Sequence, residues 1–247
     1  MPNCYIPVIS SLNFNLSIND KYAQFIENNG YEAVPLLFPW SWAKTDKKLN
    51  NIKKMRIDEN DILLLPGGQD IDPIPFGYRN LACKHTNRIR DYIESSLMEI
   101  AMEKDIKIFG ICRGFQLFFI SQLSRISKWW QHVNDHLQES PRDIETHFVT
   151  LHTPLLSKYS KYHEYGNENS MAVNSMHHQA IELKGNSYGE FRVETIGTVT
   201  EEGDKKKLTI VEAARVYKQD KLVFAGVQWH PEELESQQDL IKVMLEV

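Results

Sequence analysis

Short apolar, β-rich runs alternate with helical stretches through the first half of the chain, and this alternation constrains the fold more than any other feature. The runs are Tyr5-Ile6-Pro7-Val8-Ile9-Ser10, residues 31–38 stopped by Pro39, Asp61-Ile62-Leu63-Leu64-Leu65 broken by Pro66-Gly67-Gly68, and residues 106–111 turning at Cys112-Arg113-Gly114. Between them lie a helical stretch over 19–28, with Asp20 as its expected N-cap and Asn28-Asn29-Gly30 as its stop, and a polar, partly helical stretch over 44–60. A loop over 69–87, a helix over 90–103 and a second helix over 115–123 complete the pattern. Strands that alternate with helices must cross over and return parallel, so the expected class is α/β with a largely parallel central sheet.

The second half reads differently. Strands are expected over 146–151, 191–196, 208–216 and 222–227, with turns at Gly203-Asp204 and Gln219-Asp220, and a short amphipathic helix over 236–247. No repeat or linker stands out. The expectation is one domain over 1–247, its parallel core extended by an antiparallel portion.

Composition narrows the function classes. The 247 residues are 42% hydrophobic and 25% charged, as in an ordinary globular chain, and the length is ample for a core. A formal net charge of -5 argues against a nucleic-acid binder. No apolar stretch is long enough to span a membrane, and the start Met1-Pro2-Asn3-Cys4 does not read as a signal peptide, so a cytoplasmic location is expected. The three cysteines, Cys4, Cys83 and Cys112, are odd in number, widely spaced and without a CxxC, which disfavours a disulfide scaffold or a zinc site.

Cys112 stands apart. Gly110-Ile111-Cys112-Arg113-Gly114 sits between an apolar β-type run and a helical run. A nucleophile at a sharp strand-to-helix turn projects over the carboxyl edge of the sheet, and the free N–H groups of the following helix favour a thiolate. Taken alone, the segment fits a small buried core cysteine equally well. A nucleophilic cysteine needs a base with an orienting carboxylate, and Trp229-His230-Pro231-Glu232 supplies both at the end of an expected strand. An oxyanion site is also needed, and the N–H groups of Gly68 and Arg113 are the natural pair.

Five pieces in this order resemble the class I glutamine amidotransferase superfamily, and within it the γ-glutamyl hydrolase branch, closest to the bacterial γ-glutamyl-γ-aminobutyrate hydrolases. They are Leu65-Pro66-Gly67-Gly68-Gln69-Asp70-Ile71-Asp72-Pro73, Arg90-Asp91-Tyr92-Ile93-Glu94, Gly110 to Gln116, Asn174-Ser175-Met176-His177-His178-Gln179-Ala180, and Gly226 to Glu232. The resemblance implies a flavodoxin-like three-layer sandwich and a Cys112-His230-Glu232 triad. It implies a glutamyl pocket shaped by Gly67, Gln116, His177, His178 and Gln179, with no metal and no organic cofactor. Arg90, Asp91 and Glu94 fit either a network supporting the Gly67-Gly68 loop or a solvated helix face.

One segment departs from the pattern. Where relatives carry a Gly-Gly pair and then Leu-x-Gln, this chain reads Ser121-Gln122-Leu123-Ser124-Arg125-Ile126-Ser127-Lys128-Trp129-Trp130-Gln131. The bulk of Trp129 and Trp130 is expected near the pocket mouth, or else in the core or an interface.

The function implied is cleavage of the γ-glutamyl amide of a small amine, amidate or nucleotide-linked compound, through a glutamyl thioester. The alternatives are a glutaminase subunit delivering ammonia to a separate synthase, and a catalytically silent binding protein of the same fold. The expected partner is a small γ-glutamyl substrate, with a homodimer supported only by exposed aromatics; which compound is cleaved is not legible.

Overall fold

The computed structural model describes residues 1–9, 19–39, 41–133, 141–160, 169–202 and 207–246. The expected turn at Gly203-Asp204, and the ends Ser10 and Val247 of two expected elements, lie outside them. The helices are α1 (Asp20–Asn28), α2 (Trp42–Lys54), α3 (Arg88–Glu103), α4 (Arg113–Gln122) and α5 (Leu240–Leu245). The strands of the first half are β1 (Asn3–Ile9), β2 (Glu32–Phe38), β3 (Ile62–Leu65), β4 (Lys107–Ile111) and β5 (Ser127–Trp130). Those of the second half are β6 (His147–Leu151), β7 (Ser170–Val173), β8 (Ala180–Leu183), β9 (Ser187–Tyr188), β10 (Phe191–Glu202), β11 (Lys207–Lys218) and β12 (Lys221–Val227).

The main sheet runs β2-β1-β3-β4-β12-β11-β10-β6-β7, with β9 on β10. From β2 through β12 all neighbours are parallel, and from β12 onward all are antiparallel. This is the α/β fold expected, with the antiparallel portion attached through β12. The two layers of helix follow from side-chain alternation on buried strands. On β3, Ile62 and Leu64 join Phe25 and Ile26 of α1 and Ile241 and Met244 of α5 in one apolar cluster. Leu63 and Leu65 point the other way, into a cluster with Ile52 of α2, Ile93 and Leu97 of α3 and Phe118 of α4. Helices therefore cover both faces, giving three layers. Among the described residues no helix is long and apolar enough to cross a membrane.

Several expectations move by a residue or more. Asn19, not Asp20, caps α1, its side chain accepting from the Lys21 N–H at 2.9 Å. The terminal helix is shorter than expected: residues 235–237 form one 3₁₀ turn before α5. Cys4 lies within β1, fully buried, rather than ahead of it. β10 is 12 residues long, well beyond the expected 191–196, whereas β11 extends the expected 208–216 by only one residue at its start and two at its end. β5 and β8, absent from the sequence reading, pair antiparallel as a separate two-stranded sheet.

That small sheet answers the question of the tryptophans. Trp129 is buried, its ring edge-on to Tyr78 at 5.7 Å. Trp130 is half-buried, donates from Nε1 to Glu182 at 3.0 Å, and carries the Lys128 ammonium over its ring. Neither lines the pocket described next.

Candidate active site

Three neighbouring parallel strands, β3, β4 and β12, end at one edge of the sheet, and each delivers part of the site. The end of β4 is the elbow. Cys112 has φ 49 and ψ -103, a left-handed-side backbone that costs a non-glycine residue ~1–3 kcal/mol. It persists because its surroundings fix it. The Cys112 N–H donates to the Val227 carbonyl at 2.8 Å, tying the elbow to β12. Gly114 is pressed on Leu65, whose carbonyl and Cβ fill the space a side chain would take. Cys112 directly precedes α4, so the positive end of that helix lies at the sulfur.

The end of β12 carries His230, the expected base. Trp229 anchors this segment in the core, its Nε1 donating to Gln237 at 2.7 Å, while the residues on either side turn to Cys112. On one side Gln228 donates from Nε2 to the Cys112 Sγ at 3.5 Å. On the other, the His230 imidazole faces Cys112, close enough for each to shift the other's titration. His230 Nδ1 lies 2.7 Å from Glu232 Oε1, and a carboxylate only accepts, so Nδ1 carries the proton and Nε2 is the atom left for sulfur. Glu232 sits on the 3₁₀ turn Pro231–Glu233, which brings its carboxylate back under the ring.

The electrostatics follow from burial and neighbours. Burial works against a charged imidazole, but the Glu232 carboxylate and the Cys112 sulfur outweigh it and push His230 up to about 10. Burial likewise opposes a thiolate, yet the charge and hydrogen bond of His230, with the charge of His177, hold the Cys112 thiol below its ordinary value. Both shifts favour a thiolate–imidazolium pair.

The end of β3 supplies the glycine loop. The Gly67 N–H donates to the Tyr22 hydroxyl at 2.9 Å. Gly68 lies beside Cys112 and Arg113 in a pocket of about 270 Å³, also lined by Gln116, His177, His178 and Gln179. Gly67 is the one expected pocket residue outside this lining; it packs against the His230 ring instead.

The residues expected to shape the pocket are fixed by their own partners. Gln116 spends its amide protons on the Gln179 carbonyl and on Gln228 Oε1, both at 3.0 Å, which leaves Oε1 as its remaining polar atom. His177 Nδ1 donates to the Gln179 carbonyl at 2.8 Å, and its Nε2 faces the buried Glu212 at 3.5 Å. Although burial opposes it, the Glu212 charge raises His177 above the ordinary histidine value. At the rim, His178 Nε2 donates to the Asp70 carboxylate, 3.0 Å from Oδ1, and Asp70 also accepts from the Lys84 N–H.

Three contributors had no reading as such in the sequence. Asn174 grips the His230 backbone, its Oδ1 accepting from the His230 N–H at 2.9 Å and its Nδ2 donating to the His230 carbonyl at 3.0 Å. Tyr22 links the glycine loop to the Glu232 side: burial and the nearby Glu232 charge push its phenol up. Glu212 lies in the middle of β11, where a buried carboxylate interrupts an otherwise apolar run, and that interruption is the signal that would have found it. Arg90, Asp91 and Glu94 are not a solvated face. They form a buried network with Arg113.

The sequence profile of the peptidase C26 family matches residues 11–232, and the chain belongs to that family, which is class I glutamine amidotransferase-like. It is 30% identical over 190 residues to the glutamine amidotransferase-like protein YvdE of Lactococcus lactis, covering 75% of this chain and 71% of that protein. It is 25% identical over 244 residues to the γ-glutamyl-γ-aminobutyrate hydrolase PuuD of Escherichia coli, covering 93% of this chain and 84% of PuuD. The fold is shared with the glutaminase domain of Trypanosoma brucei CTPS at a TM-score of 0.56 and 12% identity, over 99% of this chain and 91% of that domain.

Proposed function

We propose that the chain is a cysteine hydrolase of γ-glutamyl amides, acting as one domain on a small-molecule substrate without a metal or organic cofactor. The observation that carries the reading is the geometry at Cys112: a strained elbow at a helix N-terminus, with the thiol electrostatically coupled to an imidazole whose Nδ1 is 2.7 Å from a buried carboxylate.

In this reading the Cys112 thiolate attacks the γ-carbonyl carbon, and the carbonyl π electrons move onto oxygen. The N–H groups of Gly68 and Arg113 receive that oxyanion. Collapse of the intermediate breaks the C–N bond, and the His230 imidazolium gives its Nε2 proton to the departing amine. A water then attacks the glutamyl thioester, His230 takes its proton, and the released thiolate leaves free glutamate. Glu232 holds His230 in the required tautomer and supports its positive charge. The Gln116 Oε1 suits the substrate's α-ammonium group.

The test is a mass-spectrometric screen for glutamate release from a panel of γ-glutamyl amines, amidates and nucleotide-linked compounds, with Cys112→Ala alongside. Release by the wild type and none by a folded Cys112→Ala variant is expected. Full activity in the variant would sink the thiol mechanism. Glutamine itself is expected to be a poor substrate for the isolated chain; rapid turnover of glutamine would instead favour an ammonia-delivering glutaminase.

A further inference from the structure

The two oxyanion donors named above belong to segments far apart in sequence, yet one buried charge network lies behind both. Arg90, from the first turn of α3, donates from Nη2 to the carbonyls of Pro66 at 3.1 Å and Gly67 at 2.9 Å. Its Nε donates to Glu94 Oε1 at 2.6 Å. The other oxygen of Glu94 binds the Arg113 guanidinium, which Asp91 also holds. Asp91 in turn accepts the Asp72 N–H at 2.9 Å, downstream of the glycine loop. Glu94, fully buried, is thus shared between the arginine that grips the loop and the arginine whose own N–H is the second donor.

The geometry of a peptide unit gives this network a consequence. A trans peptide is planar, and its C=O and N–H point in opposite directions. The Gly67 carbonyl and the Gly68 N–H belong to the same plane. A guanidinium that holds the Gly67 carbonyl toward α3 therefore aims the Gly68 N–H away from α3. Gly68 lines the pocket beside Cys112, so that direction is the pocket side. The space beside Gly68 is also taken by Arg90: at φ 146, a Cβ there would run into the guanidinium Nη1. A charged donor on a carbonyl further polarises the peptide and strengthens its N–H.

We propose that Arg90 is a positioning residue: by holding the Gly67 carbonyl it fixes the Gly67–Gly68 peptide with its N–H toward Cys112, and Glu94, shared with Arg113, sets the register between the two donors. This rests on the hydrolase reading above, so its test uses two acyl donors and one reagent that forms no oxyanion. The acyl donors are γ-glutamyl p-nitroanilide and p-nitrophenyl acetate. The reagent is iodoacetamide, which reports the Cys112 thiolate by simple displacement.

Arg90→Lys keeps the charge but cannot span Glu94 and both carbonyls, since it lacks the guanidinium fork. It is expected to lower kcat on both acyl donors on the order of 10²–10³-fold, the cost of losing one oxyanion donor. KM and the Cys112 alkylation rate are expected to stay near wild type. Should Arg90→Lys fail to fold, Glu94→Gln is expected to show the same selective loss, smaller in size. Unchanged kcat in a folded variant overturns the inference. So does alkylation that falls in step with kcat, because the elbow itself would then have been disturbed. A wild type that turns over the acetate through Cys112 but no γ-glutamyl compound overturns the substrate reading, and the acetate rates still decide the role of Arg90.

Discussion

Glu232→Gln removes one charge from the site and almost nothing else, and the consequence can be worked through the Cys112–His230 pair. The carboxylate is buried and its Oε1 lies 2.7 Å from His230 Nδ1. Against the cost of burial, Glu232 and Cys112 together push His230 up to about 10 from an ordinary 6.5. That difference is worth ~5 kcal/mol of preference for the imidazolium. The thiol and imidazole titrate as one unit with two steps. Below the lower step the site holds thiol and imidazolium, between the steps thiolate and imidazolium, and above the upper step the imidazole has lost its proton. A neutral amide at position 232 lowers the upper step. The negative charge of Glu232 acts directly on the sulfur in the opposite sense, raising it, but that effect is weaker than the charge and hydrogen bond of His230. The net result expected in the variant is a narrower pH range in which thiolate and imidazolium coexist, with less thiolate at neutral pH. The kcat for glutamate release should fall on the order of 10²–10⁴-fold, as when a triad carboxylate is neutralised. The pH dependence of iodoacetamide alkylation should shift alkaline in parallel. A variant whose kcat and alkylation profile superimpose on wild type from mildly acidic to mildly alkaline pH would refute the argument.

Three further outcomes are expected. Asn174→Ala removes the acceptor of the buried His230 N–H, while the His230 carbonyl keeps the Glu233 N–H, so thermal or denaturant unfolding should show a loss of ~1–3 kcal/mol together with a lower kcat, and an unchanged stability would contradict the clamp. Gly67→Ala places a Cβ 2.5 Å from His230 Cε1 and 3.1 Å from the Tyr22 hydroxyl, so the base must move, and kcat should drop by about 10²-fold, the scale of an ångström-sized misplacement. Brief alkylation at neutral pH should label Cys112 before the other cysteines, because burial pushes the Cys83 thiol up to about 11 and the Cys4 thiol higher still; peptide mapping that finds either of those modified first would count against the thiolate assignment.

The parts of the fold legible in the sequence were those whose signal is local. An apolar run ended by Pro66-Gly67-Gly68, or by Gly110 and Cys112-Arg113-Gly114, marks a buried strand and its exit within a few residues. β5, β7 and β8 were missed because each has only four residues, too few to establish a period of two. The far end of β10 was missed because Thr198, Thr200 and Glu201 mix polar residues into the strand where it leaves the core. Within the site, Cys112, His230 and Glu232 announce themselves by position at strand ends. Their supports do not. In sequence an Arg90–Glu94 pair at i,i+4 fits a solvated helix face as well as a network behind the Gly67-Gly68 loop, and only the approach of Arg113 and of the Pro66 and Gly67 carbonyls from other elements decides between them.

The division has a structural cause. β3, β4 and β12 are hydrogen-bonded neighbours, with β4 in the middle. Adjacent strands lie ~4.8 Å apart, so residues leaving their carboxyl ends start within a few ångströms of one another without any further design. Strand order thus brings the glycine loop and His230 to either side of Cys112. What strand spacing cannot supply is orientation: which way the Gly68 peptide faces, and which tautomer His230 adopts. Those depend on side chains one layer back, Arg90 and Glu94 on α3, Tyr22 on α1, Asn174 after β7 and Glu232 on its 3₁₀ turn. Each comes from a different part of the chain, so the position of the site is written in the strand ends while its precision is a tertiary property. Substitutions in this back layer should accordingly cost turnover far more than they cost the fold of the sheet.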